Sequence, residues 1–211
     1  MDAYRTEDEQ VEALKKWWKA NGKSVVVGVA VGLLAFGGAR YWVDQRTARA
    51  EQASLLYEQM MGAVEAENPE VSSQVASTLL SQFNDTPYAA FAAMAMAKLK
   101  FEEDDSQSAI TYYHWVLEND ADEGLQQIAR LRLARVLFED NRLDEALAEL
   151  REYLPPFKAL YEELRGDIFT AQGNMPEARA AYQAALDAGG TGDDALLQMK
   201  LQNTGAASAE S

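Results

Sequence analysis

Hydrophobic and polar positions change rhythm several times along this chain. The first ten residues, MDAYRTEDEQ, are acidic and show no apolar face. Val11, Leu14, Trp17 and Trp18 then recur at helical spacing, with Lys15, Lys16 and Lys19 between them. This predicts a short amphipathic helix, ended by the helix-stop pair Asn21-Gly22. Residues 24–43, SVVVGVAVGLLAFGGARYWV, are almost wholly apolar. From Asp44 onward the pattern becomes a long alternation of helical periods and polar breaks.

Sixteen residues between Lys23 and Arg40 carry no charge. A bilayer core takes about 20 helical residues, with ~17 as the lower limit. Arg40, whose stem can snorkel, and Tyr41, Trp42 and Val43 complete the length. The reading is one transmembrane helix over 24–43, with Trp17, Trp18 and Lys23 at one interface and Arg40, Tyr41 and Trp42 at the other. Gly28 and Gly32 form a GxxxG pattern, a face on which two spanning helices can approach. The competing reading is a cleavable signal peptide cut near Gly37-Gly38-Ala39. The long, partly acidic region before the span and the Tyr41-Trp42 pair weigh against it. Lys15, Lys16, Lys19 and Lys23 crowd the N-terminal side, so the positive-inside rule places residues 1–23 in the cytoplasm and the body outside.

No helix breaker follows Asp44 until Asn68-Pro69, so the spanning helix is expected to run on past Leu55, Met60 and Val64. Further helices are predicted over 71–83, 88–101, 109–117, 124–138, 143–154, 159–171, 175–186 and 193–201. Thr86 before Pro87, and Asn174 before Met175, read as N-caps. Residues 203–211, NTGAASAES, lack apolar periodicity and are expected to form a disordered tail.

Charge and composition narrow the function. The net charge is −15, unevenly placed: residues 1–43 hold six basic and five acidic side chains, residues 44–211 hold 13 and 29. So acidic a body repels phosphate backbones. The absence of cysteine removes disulfides, thiolate metal sites and thiol nucleophiles. His114 is the only histidine, expected on a helix as a packing or surface residue, and no HExxH, Walker loop or GxGxxG occurs. Glu102-Glu103, Asp104-Asp105 and Glu162-Glu163 read as solvated faces and turns. No catalytic, cofactor or metal residue is identified, and an enzyme is not expected.

The alternation is a repeat. Leu133-Ala134…Asn141…Ala146…Leu150 aligns with Arg165-Gly166…Gly173-Asn174…Ala178…Tyr182, and Ala134 to Gly166 and Ala146 to Ala178 are each 32 residues. Ala97, Ala109, Tyr113 and Leu117 give a weaker copy; the first hairpin, over 53–80, does not align cleanly. A small residue in each helix of a pair, with an aromatic or leucine one turn on, resembles the tetratricopeptide repeat. The fold expected is all-α: a single N-terminal transmembrane helix followed by a tetratricopeptide-like, right-handed array of helical hairpins. The resemblance implies that the first helix of each pair lines a groove. It carries protein binding onto Phe91, Met94, Lys98 and Phe101, then Ile128, Leu131, Arg135 and Phe138, then Leu160, Glu163, Asp167 and Thr170. The alternative is that most of the apolar ones pack under the neighbouring repeat.

Glu9-Gln10-Val11-Glu12, Trp17-Trp18, Asn21-Gly22-Lys23 and Arg40-Tyr41-Trp42 resemble the YfgM family, ancillary subunits of the bacterial SecYEG translocon. So do Leu131-Arg132-Leu133-Ala134-Arg135-Val136 and Arg165-Gly166-Asp167…Gly173. The resemblance implies a single-pass inner-membrane protein with a periplasmic tetratricopeptide-like domain over 44–202. It implies association with the translocon and with PpiD, a membrane-anchored periplasmic chaperone, and a role in passing exported client chains onward. The alternative is a membrane-anchored regulatory scaffold that acts on a signalling or stress-response partner through its cytoplasmic head.

Overall fold

The computed structural model describes residues 7–119 and 122–207, and among these every regular element is a helix. In chain order they are α1 (Glu7–Glu65), α2 (Pro69–Gln82), α3 (Pro87–Glu102), α4 (Ser106–Glu118), α5 (Glu123–Glu139), α6 (Leu143–Glu149), α7 (Lys158–Ala171), α8 (Met175–Asp187) and α9 (Asp194–Ala207). A single 3₁₀ turn, Pro155–Phe157, precedes α7. The chain divides into two units, with the boundary between Glu51 and Gln52.

In the first unit Asn21-Gly22 does not end the helix, contrary to the sequence reading. Asn21 turns its amide back to donate to the Trp17 carbonyl at 3.1 Å. A Cβ on Gly22 would come within 3.1 Å of the Trp18 indole, so glycine here lets the ring lie on the helix. From Val26 to Val43 the large apolar side chains are more than half exposed. Each forgoes roughly 1.5–3 kcal/mol of burial if water surrounds it. This is the one helix among the described residues long and apolar enough to cross a membrane. A Cβ on Gly28 or Gly32 would meet nothing within 4 Å, so the GxxxG face is open in this chain.

The second unit is built of hairpins: residues 52–65 of α1 with α2, α3 with α4, α5 with α6, and α7 with α8, followed by α9. One turn recurs in all four. Two residues after each first helix the backbone enters the left-handed region, at Glu67 (φ 51°), Asp104 (φ 61°), Asn141 (φ 59°) and Gly173 (φ 76°). The next N–H then reaches five residues back: Asn68 to Ala63 at 2.9 Å, and Asp105 to Lys100, Arg142 to Leu137 and Asn174 to Phe169 at 2.8 Å. These bonds satisfy carbonyls that a helix end leaves open, which offsets the cost of about 1 kcal/mol for a left-handed non-glycine residue. The turns are spaced by 37, 37 and 32 residues. The last interval is short because α6 has 7 residues where α2, α4 and α8 have 14, 13 and 13.

Each hairpin closes at a pair of buried positions 12 residues apart: Ala97 and Ala109, Ala134 and Ala146, Gly166 and Ala178. One turn beyond the second member stand Tyr113, Leu150 and Tyr182, so a small residue in one helix admits a large one from the other. The same register in the first hairpin gives Met60 and Ser72, with Ala76 one turn on, all buried. There the sizes are exchanged. Helix α3 is apolar on two sides because it is shared: Ala92 and Met96 join the cluster of Met60, Ala76 and Leu79, while Ala93 and Ala97 join that of Tyr113, Leu133 and Ala134.

Three further expectations change. The helix predicted over 143–154 stops at Glu149, and Leu154 is extended (φ −74°, ψ 146°), as a residue before proline prefers. The Gln127 side chain accepts from the Leu154 N–H at 3.3 Å, and the Gln127 carbonyl accepts from Tyr161 Oη at 2.9 Å. Asn174 and Thr86 precede their helices without a side-chain cap bond, and the Thr86 hydroxyl instead donates to the Phe83 carbonyl at 2.7 Å. The expected tail is helical through Ala207. Thr204 is buried, and a Cβ on Gly205 would come within 2.8 Å of Arg179 on α8, a tertiary contact that periodicity does not reveal. Residues 208–211 of that tail, 1–6 of the head and 120–121 between the helices predicted over 109–117 and 124–138 lie outside the described residues.

A Cβ on Gly166 would collide with the ring of Tyr182, which is 3% exposed and held by hydrogen bonds. Gly166→Ala is therefore expected to destabilise the body by about 1–3 kcal/mol through overpacking. Thermal unfolding of the detergent-solubilised full chain, followed by circular dichroism, measures it; an unchanged midpoint would show that Tyr182 yields freely.

Candidate functional site

The residues expected to line a groove separate into five groups. Met94 and Leu131 are 8% and 6% exposed, and they are core residues rather than groove residues. Both belong to the main cluster, because α3 and α5 each carry neighbours on more than one side. Ile128, Phe138 and Leu160 are half-buried against the same cluster. Phe91 stands in an aromatic group with Tyr57 and Tyr88, with ring centroids 6.0–6.2 Å apart and the Tyr88–Phe91 pair edge-on at 89°. Edge-to-face contact at this distance favours aromatic packing beyond area alone. The sequence reading missed Tyr57 because its hairpin did not align.

Lys98, Phe101 and Arg135 are brought together. They line one cavity of about 350 Å3 with Tyr113, Arg132 and Val136. Tyr113 and Val136 are buried beneath it, Phe101 is half-buried, and Lys98, Arg132 and Arg135 are exposed. Three helices supply these side chains: α3, α4 and α5. Arg132 and Arg135 are one turn apart on α5 and so share a face. Lys98 reaches Glu102 at 3.5 Å, an exposed pair worth little against solvent.

Glu163 and Asp167 are elsewhere engaged. Lys200 on α9 lies 2.8 Å from Glu163 Oε1, and 2.8 and 2.9 Å from the two carboxylate oxygens of Asp167. Tyr182 Oη donates to Asp167 at 2.8 Å and sits 3.1 Å from the Thr170 hydroxyl, which in turn donates to the Gly166 carbonyl at 2.8 Å. Here α9 covers residues that repeat spacing alone would leave open. Burial would raise Glu163, but the Lys200 ammonium and Thr191 overcome it and hold the carboxyl below its ordinary value. Burial would lower Lys200, but Asp167 and Glu163 reverse this and raise it. Glu162, read as solvated, is 7% exposed, accepting from Tyr153 Oη at 2.9 Å and from Arg165 at 3.1 Å.

In the first unit Trp17, Trp18 and Lys23 are exposed. So are Gly28, Gly32, Arg40, Tyr41 and Trp42. The Arg46 guanidinium lies 3.7 Å from the Trp42 ring centre, a cation held over an aromatic face at the end of the apolar run. Arg40 Nε approaches Asp44 at 4.0 Å, directed to the same end. His114 is exposed on α4. Among the described residues no group of histidine, cysteine or carboxylate side chains could hold a metal ion.

A family model described as a tetratricopeptide repeat-like domain matches residues 15–206. The chain is 32% identical over 203 residues to a Haemophilus influenzae protein named ancillary SecYEG translocon subunit, covering 95% of this chain and 99% of that one. It is 31% identical over 205 residues to the protein of that name from Escherichia coli, covering 96% and 98%. A protein of the same name from Neisseria gonorrhoeae is 28% identical over 210 residues, covering 96% and 99%.

Removing the ammonium that bridges α9 to α7 should cost stability. Lys200→Met is expected to lower it by about 1.5–3 kcal/mol, the range for hydrogen bonds to charged groups. Glu163 is depressed when folded, so its share is present above the ordinary 4.5 and is lost as pH falls through the lowered value. Lys200 is raised, so its share is present below 10.5 and is lost as pH rises through the raised value. Unfolding of both proteins across pH should show a constant deficit between about pH 5 and pH 10 that shrinks outside it. A deficit independent of pH down to acid would rule out the ion pair as its source.

Proposed function

The chain belongs to the tetratricopeptide repeat-like family of ancillary SecYEG translocon subunits, and on that premise we propose that it is a non-enzymatic accessory subunit of the translocon. It is anchored in the bacterial inner membrane by residues 24–43, with the N-terminus cytoplasmic and the helical-repeat domain in the periplasm. That domain binds partner proteins, among them the membrane-anchored chaperone PpiD, and helps transfer exported chains to periplasmic chaperones. The groove residues are those of the α3–α5 cavity, with the group of Tyr57 on α1 and Tyr88 and Phe91 on α3 as a second contact.

One observation carries the reading. Similarity to the named relatives extends over both the apolar helix and the repeat domain, at 95% or more of this chain and 98% or more of theirs. The aligned length therefore takes in both the apolar helix and the repeats of this chain, which supports reading the two together. The cytoplasmic placement of the head rests on Lys15, Lys16, Lys19 and Lys23.

The absence of cysteine makes topology and contact testable in one series. Single cysteines at position 16 and at position 183, an exposed site on α8, are treated in intact spheroplasts with a membrane-impermeant maleimide. Labelling is expected at 183 and not at 16; the reverse pattern overturns the orientation. A photo-crosslinking amino acid at Phe101 is expected to capture translocon subunits, PpiD or chains in transit. Capture of cytoplasmic signalling proteins through the head, with none from position 101, would favour the regulatory scaffold. Carbonate extraction should leave the chain with the membranes, and release would defeat the anchor.

A further inference from the structure

Three cations gather on a body that is otherwise strongly acidic. Residues 44–211 hold 29 acidic and 13 basic side chains, yet Lys98, Arg132 and Arg135 rim one cavity. Ion pairs within the body hold Lys100, Arg130, Arg142, Arg165 and Lys200, the last to two carboxylates. No described pair holds Arg132 or Arg135, and Lys98 has only the exposed contact with Glu102. Arg135 also adds its field to that of Lys200 at Glu163, without a direct bond. The cations therefore stand where a further anion can reach them.

The floor beneath them is of the opposite kind. Phe101, Tyr113 and Val136 are apolar or present a ring, and a cavity of about 350 Å3 is at the small end of the range for ligand sites. Guanidinium groups match the planar geometry of carboxylates, and two on one helix face offer more than one approach. A polyphosphate chain fits poorly, since the surrounding body repels it along its length. A carboxylate set beside an apolar side chain meets both the rim and the floor.

We infer that the α3–α5 cavity takes a polypeptide segment in which an acidic side chain stands next to an apolar one. The carboxylate faces Arg132, Arg135 and Lys98, and the apolar neighbour enters over Phe101 and Val136. This deepens the proposed groove function and rests on it, by giving the groove a preferred class of partner. It also runs against the charge of the whole body, which by itself favours basic segments.

That opposition makes a sharp test. Three fluorescein-labelled peptides share a Gly/Ser background with two leucines, each flanked by Asp, Ser or Lys. Binding to the full chain in phosphatidylcholine nanodiscs is read by anisotropy at low salt. The Asp peptide is expected to bind about tenfold tighter than the Ser peptide, with the Lys peptide weakest and the preference fading as salt rises. The exposed pair change R132Q/R135Q should abolish the preference while circular dichroism stays unchanged. Phe101→Ser should weaken all three peptides. If the Lys peptide binds as well as the Asp peptide, or the preference survives R132Q/R135Q, the inference fails, and the groove reading stands provided Phe101→Ser weakens binding. If no peptide binds the unaltered chain, or Phe101→Ser changes nothing, both fail.

Discussion

Two helices exclude water from between them only if their surfaces fit at closest approach, and in this body the fit is set at one pair of positions per hairpin. Gly166 and Tyr182 show the condition most plainly, because the ring occupies space that a Cβ at Gly166 would need. Ala97 and Ala134 stand at the equivalent place in the preceding hairpins, facing second helices that carry Tyr113 and Leu150 one turn past their own small residue. The first hairpin meets the same demand with the sizes exchanged, Met60 in one helix and Ala76 in the other. What recurs is a combined volume and not a residue type. The common left-handed turn brings each second helix back in the same sense, so each pair presents a new face to the next.

This arrangement leaves only part of each first helix available for binding. Helix α3, buried on two sides, keeps Lys98 and Phe101 toward the cavity, while Met94 is absorbed into the core. Helix α5 behaves likewise, with Leu131 inward and Arg132 and Arg135 outward. At the C-terminal end α9 places Lys200 between Glu163 and Asp167, which ties α9 to α7 and pairs both carboxylates. Two effects of α9 thus coincide: it caps the array, as a terminal repeat must, and it removes negative charge from the neighbourhood of Arg135.

Part of the candidate site came from the resemblance to the tetratricopeptide repeat, in which the first helix of each pair lines a groove. Lys98, Phe101 and Arg135 follow from repeat register, and the structure unites them in one cavity. Arg132 and Tyr113 were missed for different reasons. Arg132 sits next to a core leucine, and only the rotation of α5 about its axis shows that it shares a face with Arg135. Tyr113 was read only as a position of the weaker repeat copy, and that its ring forms the floor beneath residues of α3 and α5 is a matter of three helices meeting. Tyr57 was hidden because Met60 broke the small-residue pattern by which its hairpin could be aligned.

The sequence by itself determined those features that depend on local chemistry. A run of uncharged residues makes a helix that water does not favour, helical periodicity and proline boundaries set most of the elements, and the lack of cysteine and of histidine clusters limits the chemistry. Tertiary structure decided what depends on neighbours distant in the chain. The segment after the short α6 is held in place by Gln127, which bonds both Leu154 and Tyr161 across 27 and 34 residues. The extension of α9 through residues without apolar periodicity accompanies its contact with Arg179 on α8. Glu162 is buried because Tyr153 and Arg165 satisfy it there, whereas its sequence context reads as solvent. Local pattern reports the preference of a segment; burial and charge pairing belong to the assembled surface, where volume must be filled and every buried polar group must find its partner.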